Sequence, residues 1–202
     1  MHGLAMRLMQ RRIARRGYDV HAYSYPTMRL TLRENAERLG RHCGALRGGR
    51  VHFVGHSMGG LVALQAAALV PVACRGRVVL IGTPFADSFS GRCVRRLPGG
   101  RWVLGKCMGQ WLAGSCAVTA DDCEVGVIAG SGGVGLGRVV APGLPKPNDG
   151  VVAVSETIVP GMRDHVVLPV SHTAMLVSRE VVRQVCEFLE HGKFARETAS
   201  AT

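Results

Sequence analysis

A glycine-rich turn between an apolar run and an apolar helix is the feature that most restricts how this chain can fold. Residues 51–54 are rich in β-forming side chains, and residues 61–70 have the composition of a buried helix. They are joined by the sequence Gly-His-Ser-Met-Gly-Gly. Glycine at Gly55 and Gly59 removes side chains that would collide in so sharp a turn. The turn therefore predicts that the Ser57 hydroxyl stands clear of the backbone above a buried sheet.

The G-x-S-x-G pattern alone is weak evidence in a chain with 27 glycines among 202 residues. Chance would produce about 0.2 such patterns in a chain of this composition. The position between a strand and a helix makes the pattern informative, because this setting exposes Ser57 as a nucleophile. The backbone N–H of Met58, at the start of the helix, can then donate to a negatively charged oxygen. A serine without function in a glycine-rich turn is the alternative interpretation.

Predicted strands and helices alternate along the whole chain. The strands share apolar or alternating β-forming side chains and cover residues 18–25, 51–54, 77–81, 125–129 and 166–170. The helices cover residues 6–13, 28–46 and 61–70 and a last segment capped by Ser178. This order predicts one α/β domain over residues 1–202, with a mostly parallel sheet and helices on both faces. Residues 86–122 interrupt the alternation, and they form either a lid over a site or an ordinary surface excursion.

Composition excludes several classes of protein. The net charge is +11, but aromatic residues are only 5% and no nucleic-acid-binding motif occurs, so the arginines are better explained as solvated helix faces. No apolar run reaches the ~20 residues that span a bilayer, although peripheral membrane contact stays open. Seven cysteines without C-x-x-C spacing do not suggest a zinc site. Scattered cysteines are typical of a reduced, cytoplasmic protein.

A serine nucleophile needs a base at the same edge of the sheet, beyond the carboxyl ends of the strands. His172 meets this requirement because it follows the last predicted strand closely. His165 stands at the opposite end of that strand, roughly 20 Å away at ~3.3 Å per residue. His52 is excluded for the same reason, and His56 lies inside the turn, where we expect it to support the structure.

Four motifs in the chain resemble those of small bacterial lipases and esterases of the α/β-hydrolase superfamily. They occur in the order of that family: His2-Gly3-Leu4, Gly55 to Gly60, Asn148-Asp149-Gly150 and Ser171-His172-Thr173. The resemblance implies a serine hydrolase that needs no cofactor and cleaves small-molecule or lipid carboxylic esters. It also implies that Leu4 supplies a second oxyanion N–H, in a loop shaped by His2 and Gly3.

The resemblance also places the acid of the triad between the serine and the histidine. Asp149 lies in the turn that is similar to the family's acid turn, and Glu156 is the second candidate. Asp164 is disfavoured because it begins the last predicted strand and so lies at the wrong edge of the sheet. An ordinary Asp-Gly turn is the alternative interpretation of Asp149.

Four other functions stay open. Thioesterase, amidase and acyltransferase chemistry use the same triad on the same fold. A binding protein without catalysis is favoured by the start of the chain. In the family the His-Gly pair ends a central strand, whereas here it follows Met1 directly. We therefore expect an N-terminally truncated chain that lacks the strand between residues 18–24 and 51–54.

Overall fold

A four-stranded parallel sheet forms the centre of the protein. The structure, a computed structural model, describes residues 6–46, 49–114, 123–133 and 141–196. The strands are β1 (Val51–His56), β2 (Arg75–Ile81), β3 (Val125–Gly130) and β4 (Asp164–Leu168). They are hydrogen-bonded in the order β1-β2-β3-β4, and every pair is parallel. The predicted mostly parallel sheet is confirmed, and β4 lies at its edge, as Pro169 after this strand suggests.

Six helices surround the sheet in the described part of the chain. They are α1 (Arg7–Ala14), α2 (Leu32–Gly44), α3 (Met58–Ala68), α4 (Phe89–Arg96), α5 (Gly100–Leu112) and α6 (Arg179–His191). Local sequence explains where several of them begin. Thr31 and Glu34 form a capping box at the start of α2. The Ser178 hydroxyl accepts a hydrogen bond from the Val181 N–H at 3.2 Å, so the predicted cap of α6 is confirmed.

The sheet separates two hydrophobic layers, because alternate side chains of a strand point to opposite faces. Val79 and Ile81 of β2 pack with α1 and α6, around the fully buried Phe188. Val78 and Leu80 of the same strand pack with α2 and α3. Helices therefore cover both faces, as the alternating sequence predicts. None of the helices within the described ranges is long and apolar enough to cross a bilayer.

The strand predicted at residues 18–25 is wrong. This segment is irregular, and no described strand adjoins β1 on its open side. A groove of about 530 Å³ separates the two, with Tyr18 and Val20 on one wall and Phe53 and Val54 on the other. A segment with alternating side chains becomes a strand only if its backbone can hydrogen-bond to a neighbouring strand. Here β1 is too far away for such bonds.

The segment predicted as either a lid or a surface excursion contains two helices. α4 and α5 form a hairpin at residues 89–112, while residues 115–122 lie outside the described residues. α5 is interrupted at Gly105, whose φ of 68° and ψ of 179° are not helical. The freed N–H groups of Lys106 and Cys107 donate to the carbonyls of residues 28 and 27, at 3.4 and 3.1 Å. The second half of α5 is thus anchored to the chain ahead of α2.

Candidate active site

Ser57 occupies a strained turn between β1 and α3. Its φ of 55° and ψ of −130° make it the only non-glycine residue with positive φ among the described residues. Such a conformation costs about 1–3 kcal/mol and persists only where the surroundings enforce it. One enforcing contact is the hydrogen bond from the Ser57 N–H to the Ile81 carbonyl, at 2.8 Å. Ser57 therefore stands at the carboxyl end of β1, as the sequence predicts.

The glycines of this turn are required by close packing. A Cβ on Gly55 would lie 2.5 Å from the Gly59 carbonyl oxygen, and a Cβ on Gly60 would lie 2.0 Å from the Thr83 hydroxyl. Both distances are below any tolerated contact. Gly59 lies against the hydroxyl of Tyr25, 3.1 Å from where its own Cβ would be. Burial raises the pKa of the Tyr25 phenol, which stays neutral.

His172 and Asp149 form a short side-chain pair at the same edge of the sheet. His172 Nδ1 lies 2.7 Å from Asp149 Oδ2, and the two backbones are joined by a 2.9 Å bond from the His172 N–H to the Asp149 carbonyl. The Asp149 side chain is only 1% exposed. Its Oδ1 accepts from the N–H groups of Val151 and Val152, at 2.8 and 2.7 Å. Asp149 Oδ2 must accept from Nδ1–H, so Nε2 is the acceptor of the neutral His172 ring.

His56 connects this pair to the turn that carries Ser57. Its Nε2 donates to the main-chain carbonyl of His172 at 3.0 Å, and the two rings are 4.5 Å apart between centroids. Burial, and then the neighbouring His172, lower the pKa of His56 to about 4. His56 is therefore neutral near pH 7. Within the described part of the chain its buried Nδ1 has no hydrogen-bond partner.

Sequence reasoning missed Gly82, which follows β2 directly beneath the His172–Asp149 pair. Its φ is +53°, and a Cβ there would lie 3.1 Å from Asp149 Oδ2 and 3.2 Å from His172 Nδ1. Met175 Sδ is the third neighbour, at 3.1 Å. The Gly82 N–H donates to Ile128 at 2.8 Å, which keeps the residue in line with the sheet. The Gly-Thr-Pro sequence at the end of a predicted strand was the available signal.

The competing residues lie elsewhere, as the strand directions predict. Asp164 begins β4 and accepts from the Phe194 N–H at 2.7 Å, at the opposite edge of the sheet. The ring of His165 contacts the Thr157 hydroxyl at 3.2 Å. His52 Nδ1 accepts from the Arg77 N–H at 2.9 Å. None of these groups contacts the His172–Asp149 pair.

Glu156, the second candidate for the acid, has a different position. Its buried Oε1 accepts from the Phe89 N–H at the start of α4, and its Oε2 accepts from the Ala153 N–H at 2.8 Å. The Ser90 hydroxyl also donates to the Val151 carbonyl at 2.5 Å. The base of the α4–α5 hairpin is thus fastened to the loop that carries Asp149.

Of the two oxyanion donors expected from the sequence, Met58 lies in the described residues and Leu4 lies outside them. Met58 is the first residue of α3 and is 7% exposed, so its N–H lies at a helix N-terminus. His2, Gly3 and Leu4 lie outside the described residues. In the described ranges, no group of three or more His, Cys, Asp or Glu side chains is arranged to hold a metal ion.

These features agree with the comparison to protein families. The chain belongs to the α/β-hydrolase family, whose model matches residues 1–185. No curated protein sequence matches the chain.

Two solved structures of one lipase, BlEst2 from Bacillus licheniformis, have the same fold. The propeptide form has a TM-score of 0.78 and 16% identity, covering 99% of this chain and 50% of that one. The mature form has a TM-score of 0.73 and 16% identity, covering 94% of this chain and 86% of that one. The chain thus spans about half the length of the propeptide form.

Proposed function

We propose that the protein is a serine hydrolase that cleaves carboxylic esters through Ser57, His172 and Asp149. The observation that carries the proposal is the 2.7 Å pair between His172 Nδ1 and Asp149 Oδ2, held by His56 beside the strained turn of Ser57. A serine hydroxyl is activated by a histidine whose ring is oriented by a buried carboxylate. Ser57 is partly exposed, so a substrate can reach its hydroxyl. Membership of the α/β-hydrolase family supports the same conclusion.

In the first half of the reaction, the Ser57 oxygen attacks the ester carbonyl while His172 Nε2 takes the hydroxyl proton. The carbonyl π electrons move onto oxygen, which becomes an oxyanion. When the tetrahedral intermediate collapses, the C–O bond to the alcohol breaks. His172 returns its proton to the departing alkoxide, which leaves an acyl group on Ser57.

In the second half, water replaces the alcohol. His172 takes a proton from the water as its oxygen attacks the acyl carbonyl, and the proton then passes to Ser57 as the acid departs. Asp149 keeps Nδ1 protonated and stabilises the positive ring in both halves. No step requires a metal or an organic cofactor.

Two backbone N–H groups are the proposed oxyanion donors. The Met58 N–H is favoured by its position at the start of α3, and the Leu4 N–H is favoured by the resemblance of His2-Gly3-Leu4 to the family motif. Loss of one such donor typically slows catalysis by ~10²–10³. A small-molecule or lipid ester is the proposed substrate class, and the name of the structural relative, a lipase, supports it.

A fluorophosphonate probe tests the proposal directly. We expect the folded protein to be labelled covalently at Ser57, and Ser57→Ala to abolish labelling. Ser155→Ala is the matched control, since Ser155 is exposed on the short 3-10 helix Val154–Thr157. Absence of labelling in wild-type protein shown to be folded by circular dichroism would favour the binding protein. Hydrolysis rates on matched esters, thioesters and amides would then separate the three bond types.

A further inference from the structure

The tip of the α4–α5 hairpin exposes large apolar side chains to solvent. Leu97, directly after α4, is 53% exposed. Trp102 and Val103, in the first helical turn of α5, are 84% and 70% exposed. Met28, which is 52% exposed, lies against Gly105 of the same helix. A group of large exposed apolar side chains on one hairpin of a folded protein is typical of an interaction site. We call these four residues the hairpin tip.

The tip is held outward by a rigid turn. The Leu97 N–H donates to Val94 at 3.0 Å, and the Gly100 N–H donates to Leu97 at 2.9 Å. A Cβ on Gly100 would lie 1.8 Å from the Val94 carbonyl, so the two helices approach as closely as glycine permits. The break at Gly105 then separates the first turn of α5 from the packed second half. The backbone conformation of the hairpin therefore keeps Trp102 exposed.

Exposed cations outnumber carboxylates around the hairpin tip in the described part of the chain. Arg95, Arg96, Arg101 and Lys106 are all exposed, and residues 88–114 contain no Asp or Glu. Two carboxylates close to the hairpin among the described residues already have partners of their own. Asp87 pairs with Arg92. Glu34 accepts from Thr31 in the capping box of α2, and it also interacts electrostatically with Lys106. The hairpin thus combines an exposed tryptophan with four cations, two at the end of α4 and two in α5.

We propose that the hairpin tip docks on the surface of an anionic phospholipid membrane. Tryptophan prefers the interface between headgroups and acyl chains, where its ring is buried and its N–H is solvated. Leu97 and Val103 enter the acyl boundary beside it, while the arginines meet lipid phosphates. The positive charge favours an anionic membrane over an uncharged apolar partner, because such a partner would remove Arg95, Arg96 and Arg101 from water without offering them an anion.

Docking at the tip would orient the candidate active site toward the lipid. The second half of α5 packs its Cys107 in the same cluster as Met58, the residue after Ser57. The base of α4 is bonded through Phe89 to Glu156 and through Ser90 to Val151, beside Asp149. The tip and the candidate site thus belong to one packed unit. The docking surface nevertheless does not depend on the proposed esterase activity, because binding is measured without turnover.

Tryptophan fluorescence of the full chain provides the test. The chain has two tryptophans, so Trp111→Phe leaves Trp102 as a single reporter inside the tip. We expect its emission to shift to the blue on adding vesicles of equimolar phosphatidylcholine and phosphatidylglycerol. Vesicles of phosphatidylcholine alone should give a much weaker shift. Ser57→Ala should bind as well as wild type, which separates docking from catalysis.

Charge variants identify the surface. Each cation near an anionic membrane changes binding by roughly fivefold, so Arg95→Gln with Arg96→Gln should weaken cosedimentation by about 30-fold. The matched control is the double variant Arg11→Gln, on α1, with Arg15→Gln, directly after α1. This helix lies across the sheet from α3, so the control should bind almost as well as wild type. Equal losses in both double variants would overturn the proposal, because binding would then follow net charge alone.

Two further results would also overturn it. One is the absence of any Trp102 shift with anionic vesicles at low salt. The other is a concentration-dependent dimer, seen by sedimentation velocity and abolished by Trp102→Ala, in protein that does not bind vesicles. In that case the tip would be an interface between two copies. Because Trp102 is 84% exposed, Trp102→Ala should unfold at the wild-type temperature, which keeps the test interpretable.

Discussion

The Nε2 of His56 donates to the main-chain carbonyl of His172 across 3.0 Å, which joins the turn carrying Ser57 to the loop carrying the proposed base. The two segments are far apart in sequence and are connected here by one buried hydrogen bond. A neutral imidazole suits this bond, because Nε2 must carry the proton and a second proton on Nδ1 would be buried without a partner among the described residues. His56 is therefore a positioning residue in the proposed mechanism.

The stability of the protein should fall when the pH falls from about 6.5 to about 4. Burial lowers the pKa of His56 to about 4, while the unfolded chain has an ordinary histidine pKa near 6.5. Between these values the unfolded state binds more protons, so the free energy of unfolding decreases as the pH decreases. The contribution of His56 is roughly 3 kcal/mol. Urea unfolding at a series of pH values measures it.

His56→Phe isolates this contribution, because phenylalanine fills the same space but does not titrate. We expect the variant to be less stable near neutral pH by about 1–3 kcal/mol, since the His172 carbonyl loses a buried donor. Its stability should also depend less on pH than that of wild type. His21→Phe is the control, as His21 lies on the surface. If both variants keep the wild-type pH dependence, the buried neutral histidine is not its source.

Asp149→Asn should reduce ester hydrolysis about 10⁴-fold, because an amide favours the wrong tautomer of His172 and cannot stabilise its positive form. Glu156→Gln is the matched comparison, since Glu156 accepts backbone N–H groups and does not contact His172. We expect it to retain most of kcat. Steady-state kinetics on a soluble ester distinguish the two, and a larger loss in Glu156→Gln would reassign the acid.

Gly82→Ala should impair catalysis more than its backbone strain explains. The new Cβ would lie 3.1–3.2 Å from Asp149 Oδ2 and His172 Nδ1, so the pair must shift. Gly17 has φ of +91° with nothing within 4 Å of its Cβ position. Both alanine variants therefore cost about 1–2 kcal/mol of conformational energy. Only Gly82→Ala should lower kcat, and a similar decrease in Gly17→Ala would contradict this explanation.

Glu156→Ala should loosen the base of the α4–α5 hairpin. The Phe89 and Ala153 N–H groups would lose their acceptor, which frees the start of α4 from the loop after Asp149. We expect faster trypsin cleavage at Arg92, Arg95, Arg96 or Arg101, read by mass spectrometry. Glu190→Ala removes an exposed carboxylate on α6 and should leave the cleavage rate unchanged.

Sequence reasoning worked where one short-range rule decides the geometry. A parallel sheet brings the carboxyl ends of its strands to one edge, so the positions of Ser57 and His172 follow from strand order, whereas the choice of Asp149 also depended on the resemblance to the family. The 2.7 Å pair lies at this edge, and the catalytic roles stay predictions. Glycine at Gly55 was likewise expected because the turn is sharp, and a Cβ there would lie 2.5 Å from the Gly59 carbonyl oxygen.

It failed where the outcome depends on partners that are distant in sequence. Residues 18–25 alternate like a strand, but alternation does not supply a hydrogen-bonding neighbour, and a groove separates them from β1. The contacts of Gly82 with the His172–Asp149 pair and of Glu156 with α4 could not be predicted either, because each joins segments more than 60 residues apart in the chain. Local patterns carry no information about such contacts.

The open side of β1 also has a consequence for amide hydrogen exchange. The Ser57 N–H bonds to Ile81, and because backbone groups alternate along a strand, the Gly55 N–H faces β2 while the Val54 and His56 N–H groups face the groove. Neighbouring amides of one strand should therefore exchange with deuterium at very different rates. Slow exchange at Gly55 beside fast exchange at Val54 would show that the free energy needed to expose an amide of β1 differs between its β2 side and its groove side.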